Sequence, residues 1–164
     1  MLSVICPIYN EEKYIRKCID SILSQDYPYN DMEVLFVDGM STDRTRNIVS
    51  EYTKQYSHIR LIDNPHKIVP CAMNIGIRAS KGDVIIRLDA HASYQPDYFS
   101  VLYRYSCELR VENVGVVCRT DVLNKTPKTL AIREVLSNKF GVGNSAFRTG
   151  INQIMAVDTV PFGC

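Results

Sequence analysis

Asp89 and His91 stand two residues apart just beyond an apolar run, Asp83-Val84-Ile85-Ile86. In an extended segment, residues i and i+2 point to the same side. One hard carboxylate oxygen and one borderline imidazole nitrogen can then reach the same ion. Such a pair suits Mn²⁺ better than Mg²⁺, which prefers oxygen donors alone. Asp38 closes a second apolar run, Glu33-Val34-Leu35-Phe36-Val37, and Tyr9 and Glu11 follow a third, from Leu2 to Ile8. A carboxylate can accept the imide N–H of a uracil, a tyrosine ring can lie on the base, and a divalent ion can hold a diphosphate. Each group also has a plainer role. Asp38 and Asp89 serve equally as turn carboxylates, Glu11 as the charge that complements a helix N-terminus, and His91 as a loop residue. Their joint occurrence at the ends of successive apolar runs favours a nucleotide site.

These residues need a scaffold that gathers them. Leu2–Ile8 reads as a first strand, with Pro7 near its end. Asn10 as a cap and Glu11-Glu12 in the first turn begin an amphipathic helix with Ile15, Ile19, Ile22 and Leu23 on one side. Glu33–Asp38 is a second strand. Ser41, Thr42 or Asp43 then caps a helix whose apolar face is Ile48, Val49 and Tyr52. Ile59–Asp63 is a short third strand, stopped by Asn64-Pro65. A helix over Val69–Ser80, broken by Gly82, leads to Asp83–Ile86, a buried central strand. Strands alternating with helices predict an α/β fold, a mostly parallel open sheet with helices on both faces. In such a sheet the strand ends share one edge, and ligands bind just outside it.

Past His91, Pro96-Asp97 opens a helix in which Tyr98, Leu102, Tyr105 and Leu109 recur at the helical period and read as core. A strand over Val114–Cys118, a helix over Thr129–Lys139, a flexible loop over Gly141–Ser145 and a strand over Gln153–Val160 follow. No repeat, linker or low-complexity segment intervenes in the 164 residues, which read as one domain over 1–164.

Composition excludes several classes. A net charge of +1 argues against nonspecific nucleic-acid binding. No run reaches the roughly eighteen apolar residues of a membrane span, and the N-terminus has no signal-peptide pattern. The six cysteines are scattered without zinc spacing, which points to a reduced, cytosolic protein. The dinucleotide-binding G-x-G-x-x-G, the P-loop and the G-x-S-x-G elbow are all missing.

The order of motifs resembles the family 2 glycosyltransferases of the GT-A fold, whose sheet is Rossmann-like and binds nucleotide. Ser3-Val4-Ile5-Cys6-Pro7-Ile8-Tyr9-Asn10-Glu11 is similar to that family's first strand and loop. The stretch from Val37 to Thr45 resembles its V-D-D-G-S-T-D-x-T signature, keeping Asp38, Ser41, Thr42, Asp43 and Thr45 and departing at Gly39 and Met40. Asn74-Ile75-Gly76 with Ser80-Lys81-Gly82-Asp83 resembles its N-x-G…A-x-G-D segment. Arg87-Leu88-Asp89-Ala90-His91 sits where the family has its D-x-D metal motif, with His91 in place of the second acid. That variant resembles the succinoglycan-type bacterial polysaccharide branch, as do the stretches around 140–145 and 158–163.

The resemblance implies an inverting, metal-assisted transfer of sugar from a nucleotide-sugar donor, a UDP-sugar, to a saccharide or lipid-linked acceptor. Pro7, Tyr9, Glu11, Asp38 and Asp89 would bind the nucleotide, and Asp89 and His91 the divalent cation, Mn or Mg. The catalytic base would belong to an acidic motif beyond Cys164. The later acids Asp97, Glu108, Glu112, Asp121, Glu134 and Asp158 do not match that motif. The chain therefore reads as a fragment, cytoplasmic or at the inner face of a membrane. Its Ile151, Ile154, Met155 and Val157 would lack partners, which favours self-association. A non-catalytic sugar-nucleotide-binding module and a nucleotidyltransferase are the alternatives.

Overall fold

The computed structural model describes residues 1–122, 124–143, 145–157, 160 and 163. Within the span that reads from sequence as one domain, they form two compact units, one inside 1–114 and 162–164, the other inside 115–161. In the first unit, β1 (Leu2–Ile8) and β2 (Met32–Asp38) are the inner strands of a parallel sheet ordered β3-β2-β1-β4. β3 (Ile59–Asp63) and β4 (Val84–Arg87) flank them. Leu2, Val4, Ile5 and Cys6 of β1 and Val34, Leu35, Phe36 and Val37 of β2 are fully buried, as strands covered on both faces must be. The buried polar residues of this layer satisfy each other. Ser3 Oγ donates to Glu33 at 2.7 Å, and Arg60 donates to the same carboxylate at 3.2 Å.

Three helices follow the strands: α1 (Ile15–Leu23), α2 (Thr45–Thr53) and α3 (Val69–Ala79). α3 packs through Ala72 on the face formed by Ile5, Leu35 and Val37. It approaches closely because Gly76 carries no Cβ, which would lie 2.5 Å from Ile5 Cγ2. α1 takes the opposite face, where Cys18 meets Cys6 and, with burial, pushes the Cys6 thiol well above its usual value. Helices on both faces of a parallel α/β sheet are the architecture the alternating pattern predicts. α4 (Tyr98–Leu109) closes this unit. Of its expected core stripe, Tyr98 and Leu102 are buried, whereas Leu109 is exposed.

Among the described residues β4 pairs in the ladder with β1, and Arg87 N–H at its end donates to the Gly163 carbonyl at 3.1 Å, so β4 is not left as a bare edge. Several local expectations are corrected. Asn10 does not cap α1. Its backbone is left-handed, at φ 55°, and the helix starts later, with Tyr14 at the cap. Gly82 does more than end a helix, since a Cβ there would lie 2.6 Å from the Met1 carbonyl oxygen and 2.7 Å from Ser3 N.

In the second unit, α5 (Pro127–Ser137) begins at a capping box between Thr126 and Thr129, followed by α6 (Lys139–Val142) and α7 (Ala146–Thr149). The expected loop over Gly141–Ser145 is therefore partly helical. Val114–Cys118 is no strand; only Gly115 forms an isolated bridge. Residues 153–157 are not a strand either, and Asp158 and Thr159 lie outside the described residues. β-branched runs become strands only when a partner strand completes their hydrogen bonds. Ile151, Ile154, Met155 and Val157 are each exposed by 44–58%.

His58, just before β3, stacks on Tyr29 with ring centres 4.9 Å apart and meets Tyr56 edge-on at 5.9 Å. Its Nε2 is buried with no hydrogen-bond partner among the described residues, and burial lowers its pKa. The unfolded chain then binds more protons than the folded one as pH falls through about 6.5, so folding stability must drop in that window. His58→Phe keeps the stack and is expected to flatten the stability profile between about pH 5 and 7 in chemical denaturation. Parallel profiles for the two proteins would contradict this.

Candidate functional site

β1 outruns β4, and that difference opens a cleft. β1–β4 pairing ends at Ile5 opposite Arg87, and Leu88 N–H donates to the Ile5 carbonyl at 2.9 Å. β1 continues to Ile8. Hydrogen-bonding direction alternates along a strand, so Pro7, which has no N–H, turns its nitrogen toward the side where β4 has already stopped. The resulting cleft, about 140 Å³, lies at the carboxyl ends of the strands. Pro7 and Ile8 line it from the end of β1, Tyr9 and Glu11 from the loop that follows, and Gly39 from the loop after β2. Asn64 and Lys67 follow from β3, Ile68, Val69 and Ala72 from the start of α3, and Asp89, Ala90 and His91 from β4.

Five of the six residues expected from sequence thus meet in one place: Pro7, Tyr9, Glu11, Asp89 and His91. Asp89 and His91 do so for a different reason than an extended backbone. The chain turns after Leu88, with Ala92 N–H donating to the Asp89 carbonyl at 3.2 Å, and this turn brings both side chains to the cleft. His91 Nδ1 lies 3.5 Å from Glu11 Oε1, and Asp89 Oδ1 lies 3.5 Å from Arg87 Nη2. Among the described residues, no three His, Cys, Asp or Glu side chains cluster tightly enough to hold a metal by themselves. Asp89 and His91, with Glu11 beside the imidazole, are the cleft residues that could hold a cation sharing its other ligands with a diphosphate, as nucleotide-bound divalent ions do.

Asp38 is the exception. It does not line the cleft. Its carboxylate is fully buried beneath the loop that follows β2, where it accepts from Ser41 N–H at 3.0 Å, from Ser41 Oγ and from Arg46 Nη1. Arg46 also bridges to Asp63 at 2.8 Å. Asp38 thus presents no surface to the cleft, and the carboxylate contacts it makes are with its own chain, not with the base expected from its chemistry.

The rest of that signature behaves alike. Asn10 Oδ1 accepts from Thr42 N–H at 2.9 Å, and Asn10 N–H donates to Ser41 Oγ at 2.9 Å. Glu11 N–H donates to the buried Thr45 Oγ1 at 2.7 Å, and Glu12 N–H to Asp43 Oδ2 at 3.1 Å. Arg44 N–H returns a bond to Glu12 at 3.1 Å. Burial alone would raise the Asp43 carboxyl, but hydrogen bonds from Thr45 and Glu12 outweigh it and hold the group below its usual value. The signature thus zips the loop after β2 onto the loop after β1. In doing so it fixes where Tyr9 and Glu11 stand.

Two lining features went unread in the sequence, and a third, Lys67, was readable there as a phosphate contact or a solvated surface charge. Gly39 lets two walls approach, for a Cβ would lie 3.2 Å from Tyr9 Cδ2. Asn64 is buried and ties the turn before α3, donating to the Ile68 carbonyl at 3.0 Å. Lys67 lines the cleft from a left-handed backbone, φ 62°, unusual for a residue with a Cβ. Only the Asn64-Pro65 stop hinted at this turn. The later acids Asp97, Glu108, Glu112, Asp121 and Glu134 are exposed and line no part of the cleft, and Asp158 lies outside the described residues.

Comparisons with known proteins give the family and the fold. The model of the family described as Glycosyl transferase family 2 matches residues 3–161. The dolichyl N-acetyl-alpha-D-glucosaminyl phosphate 3-beta-D-2,3-diacetamido-2,3-dideoxy-beta-D-glucuronosyltransferase of Methanococcus voltae is 31% identical, over 89% of this chain and 47% of its own length. Succinoglycan biosynthesis protein ExoA of Rhizobium meliloti is 30% identical, over 90% of this chain and 44% of its own. Among solved structures, the mannosyltransferase PcManGT of Pyrobaculum calidifontis, in complex with GDP-Man and Mn²⁺, superposes with a TM-score of 0.68 at 29% identity. That match covers 72% of this chain and 35% of the other. The chain spans less than half the length of each of these three proteins.

Proposed function

Since the chain belongs to glycosyl transferase family 2, we propose that its cleft binds the nucleoside diphosphate of a nucleotide-sugar donor. The sugar then passes, with inversion, to a saccharide or lipid-linked acceptor. The observation that carries this reading is the gathering of Pro7, Tyr9, Glu11, Asp89 and His91 around one cleft at the carboxyl edge of the sheet. Tyr9, half-exposed at the rim, offers its ring to the base, with Pro7, Ile8 and Val69 as apolar walls. Asp89 and His91 would hold the divalent cation that accompanies the diphosphate, and Glu11, 3.5 Å from His91 Nδ1, would orient the imidazole. Asp38 serves from beneath by holding the loop after β2. Lys67 adds positive charge on the wall across from Asp89. A divalent ion bound there supplies Lewis acidity that neutralises charge on the departing diphosphate.

The similar mannosyltransferase binds GDP-Man with Mn²⁺, while the sequence resemblance points to UDP, so both nucleotides belong in the test. Calorimetric titration of UDP and GDP is expected to show at least about tenfold tighter binding of one of them with Mn²⁺ than with EDTA. No binding of either nucleotide under either condition would overturn the reading. Sugar transfer from UDP- or GDP-sugars to added acceptors, measured on this chain and on one extended to the length of its relatives, then separates an enzyme from a binding module.

A further inference from the structure

Asp89 leaves the sheet at the point where its backbone loses strand partners. The last ladder-like bond before it runs from Leu88 N–H to Ile5. A single hydroxyl takes over. Asp89 N–H donates to Tyr94 Oη at 2.8 Å, and the Tyr94 O–H donates back to the Asp89 carbonyl at 3.1 Å. Both backbone groups of one residue thus meet one side chain five positions later, and the carbonyl also accepts from Ala92 N–H at 3.2 Å. Cys18 Sγ adds a weak contact to the same carbonyl at 3.9 Å. Burial pushes the Tyr94 phenol far above its usual value, so it keeps the proton with which it donates.

Tyr94 is itself anchored. Its ring lies 5.0 Å from that of Tyr98, which is buried at the start of α4. The residues after it are tied to the end of α1. Gln25 Nε2 donates to the Gln95 carbonyl at 2.6 Å, and Asp26 N–H donates to the Pro96 carbonyl at 2.8 Å. The buried Gln25 also accepts from Phe99 N–H at 3.1 Å. The core itself asks only for Leu88 and Ala90, which are fully or nearly fully buried, while Asp89 stays partly exposed and His91 exposed. A clamp on the Asp89 peptide therefore sets the aim of a side chain that faces the cleft.

We propose that Tyr94 is a positioning residue. It clamps the backbone of Asp89 so that this carboxylate and His91 present themselves together to a cation-bound diphosphate. The proposal rests on the reading of the cleft as a nucleotide site. Outer partners that orient a metal-binding group commonly change metal affinity by about 10–100-fold when removed.

The test is Tyr94→Phe, which keeps the ring and its packing on Tyr98 and removes only the hydroxyl. The control is Tyr27→Phe, which removes a hydroxyl bonded to Asp31 at 3.2 Å, far from the cleft at the amino end of the sheet. UDP and GDP are titrated by calorimetry into all three proteins, with Mn²⁺ and with EDTA, and thermal melting is recorded. Both variants are expected to melt somewhat lower than the unaltered protein. Only Tyr94→Phe is expected to lose about tenfold or more of the affinity that Mn²⁺ adds, with binding in EDTA unchanged. A full Mn²⁺ gain in folded Tyr94→Phe overturns the proposal, and so does an equal loss in Tyr27→Phe, which would indicate general loosening. If the unaltered protein binds neither nucleotide, the reading of the cleft fails and takes the proposal with it. If it binds but Mn²⁺ adds nothing, the clamp has no cation to serve and the proposal alone falls.

Discussion

Asp89→Ala is expected to weaken Mn²⁺-supported nucleotide binding by about 3 kcal/mol, roughly 150-fold, while changing folding stability by less than about 1 kcal/mol. The two effects separate because the side chain and the main chain of this residue do different things. The side chain is 27% exposed, and its ion partner Arg87, 3.5 Å away, is 38% exposed, so their attraction is largely screened by water. The main chain stays held by Tyr94 and by the neighbouring Leu88, which is fully buried. Removing the carboxylate leaves His91, itself exposed, as the remaining donor of the pair. Calorimetry of the folded variant with Mn²⁺, alongside its melting curve, measures both quantities. An affinity within about threefold of the unaltered protein would remove Asp89 from the cation site.

Asp38→Ala should behave the opposite way. It is expected to destabilise the fold by about 2–4 kcal/mol, because Ser41 N–H, Ser41 Oγ and one arm of Arg46 lose a buried acceptor. The figure stays below that of a stranded buried ion because Arg46 is one-third exposed and keeps Asp63. For a chain of this size the melting temperature should fall by roughly 5–15 °C. Nucleotide affinity, measured well below the melting point, should fall less than in Asp89→Ala, since Asp38 reaches the cleft only through the loop it holds. A variant with unchanged melting and a large loss of affinity would restore the direct contact with the base that the carboxylate chemistry alone suggests.

Asp38 shows why part of the site was illegible. A carboxylate at the end of a parallel strand reads the same whether it faces a ligand or its own loop. The decision lies with Arg46, eight residues on, and with Ser41, whose N–H and hydroxyl fold back onto it. Tyr94 was equally hidden, because nothing in a five-residue spacing shows that a hydroxyl will close on a turn. The strands expected after His91 failed for another reason. Val114–Cys118 has the composition of a strand, but composition supplies no hydrogen-bonding partner.

The order of strands and helices in the first unit, the parallel sheet, and the edge on which Pro7, Tyr9, Glu11, Asp89 and His91 would meet were all legible in the residue pattern. Those follow from apolar periodicity and from the rule that parallel strands end on one side, both of which are local. Tertiary structure alone decided which carboxylate faces the cleft and which is sealed beneath it. It also decided that the Asp38–Thr45 signature joins two loops, and that β1 outlasts β4 to leave a cleft at all. Each depends on contacts between residues distant in sequence, such as Asn10 with Thr42 or Ile5 with Leu88, whose geometry exists only once the sheet has formed.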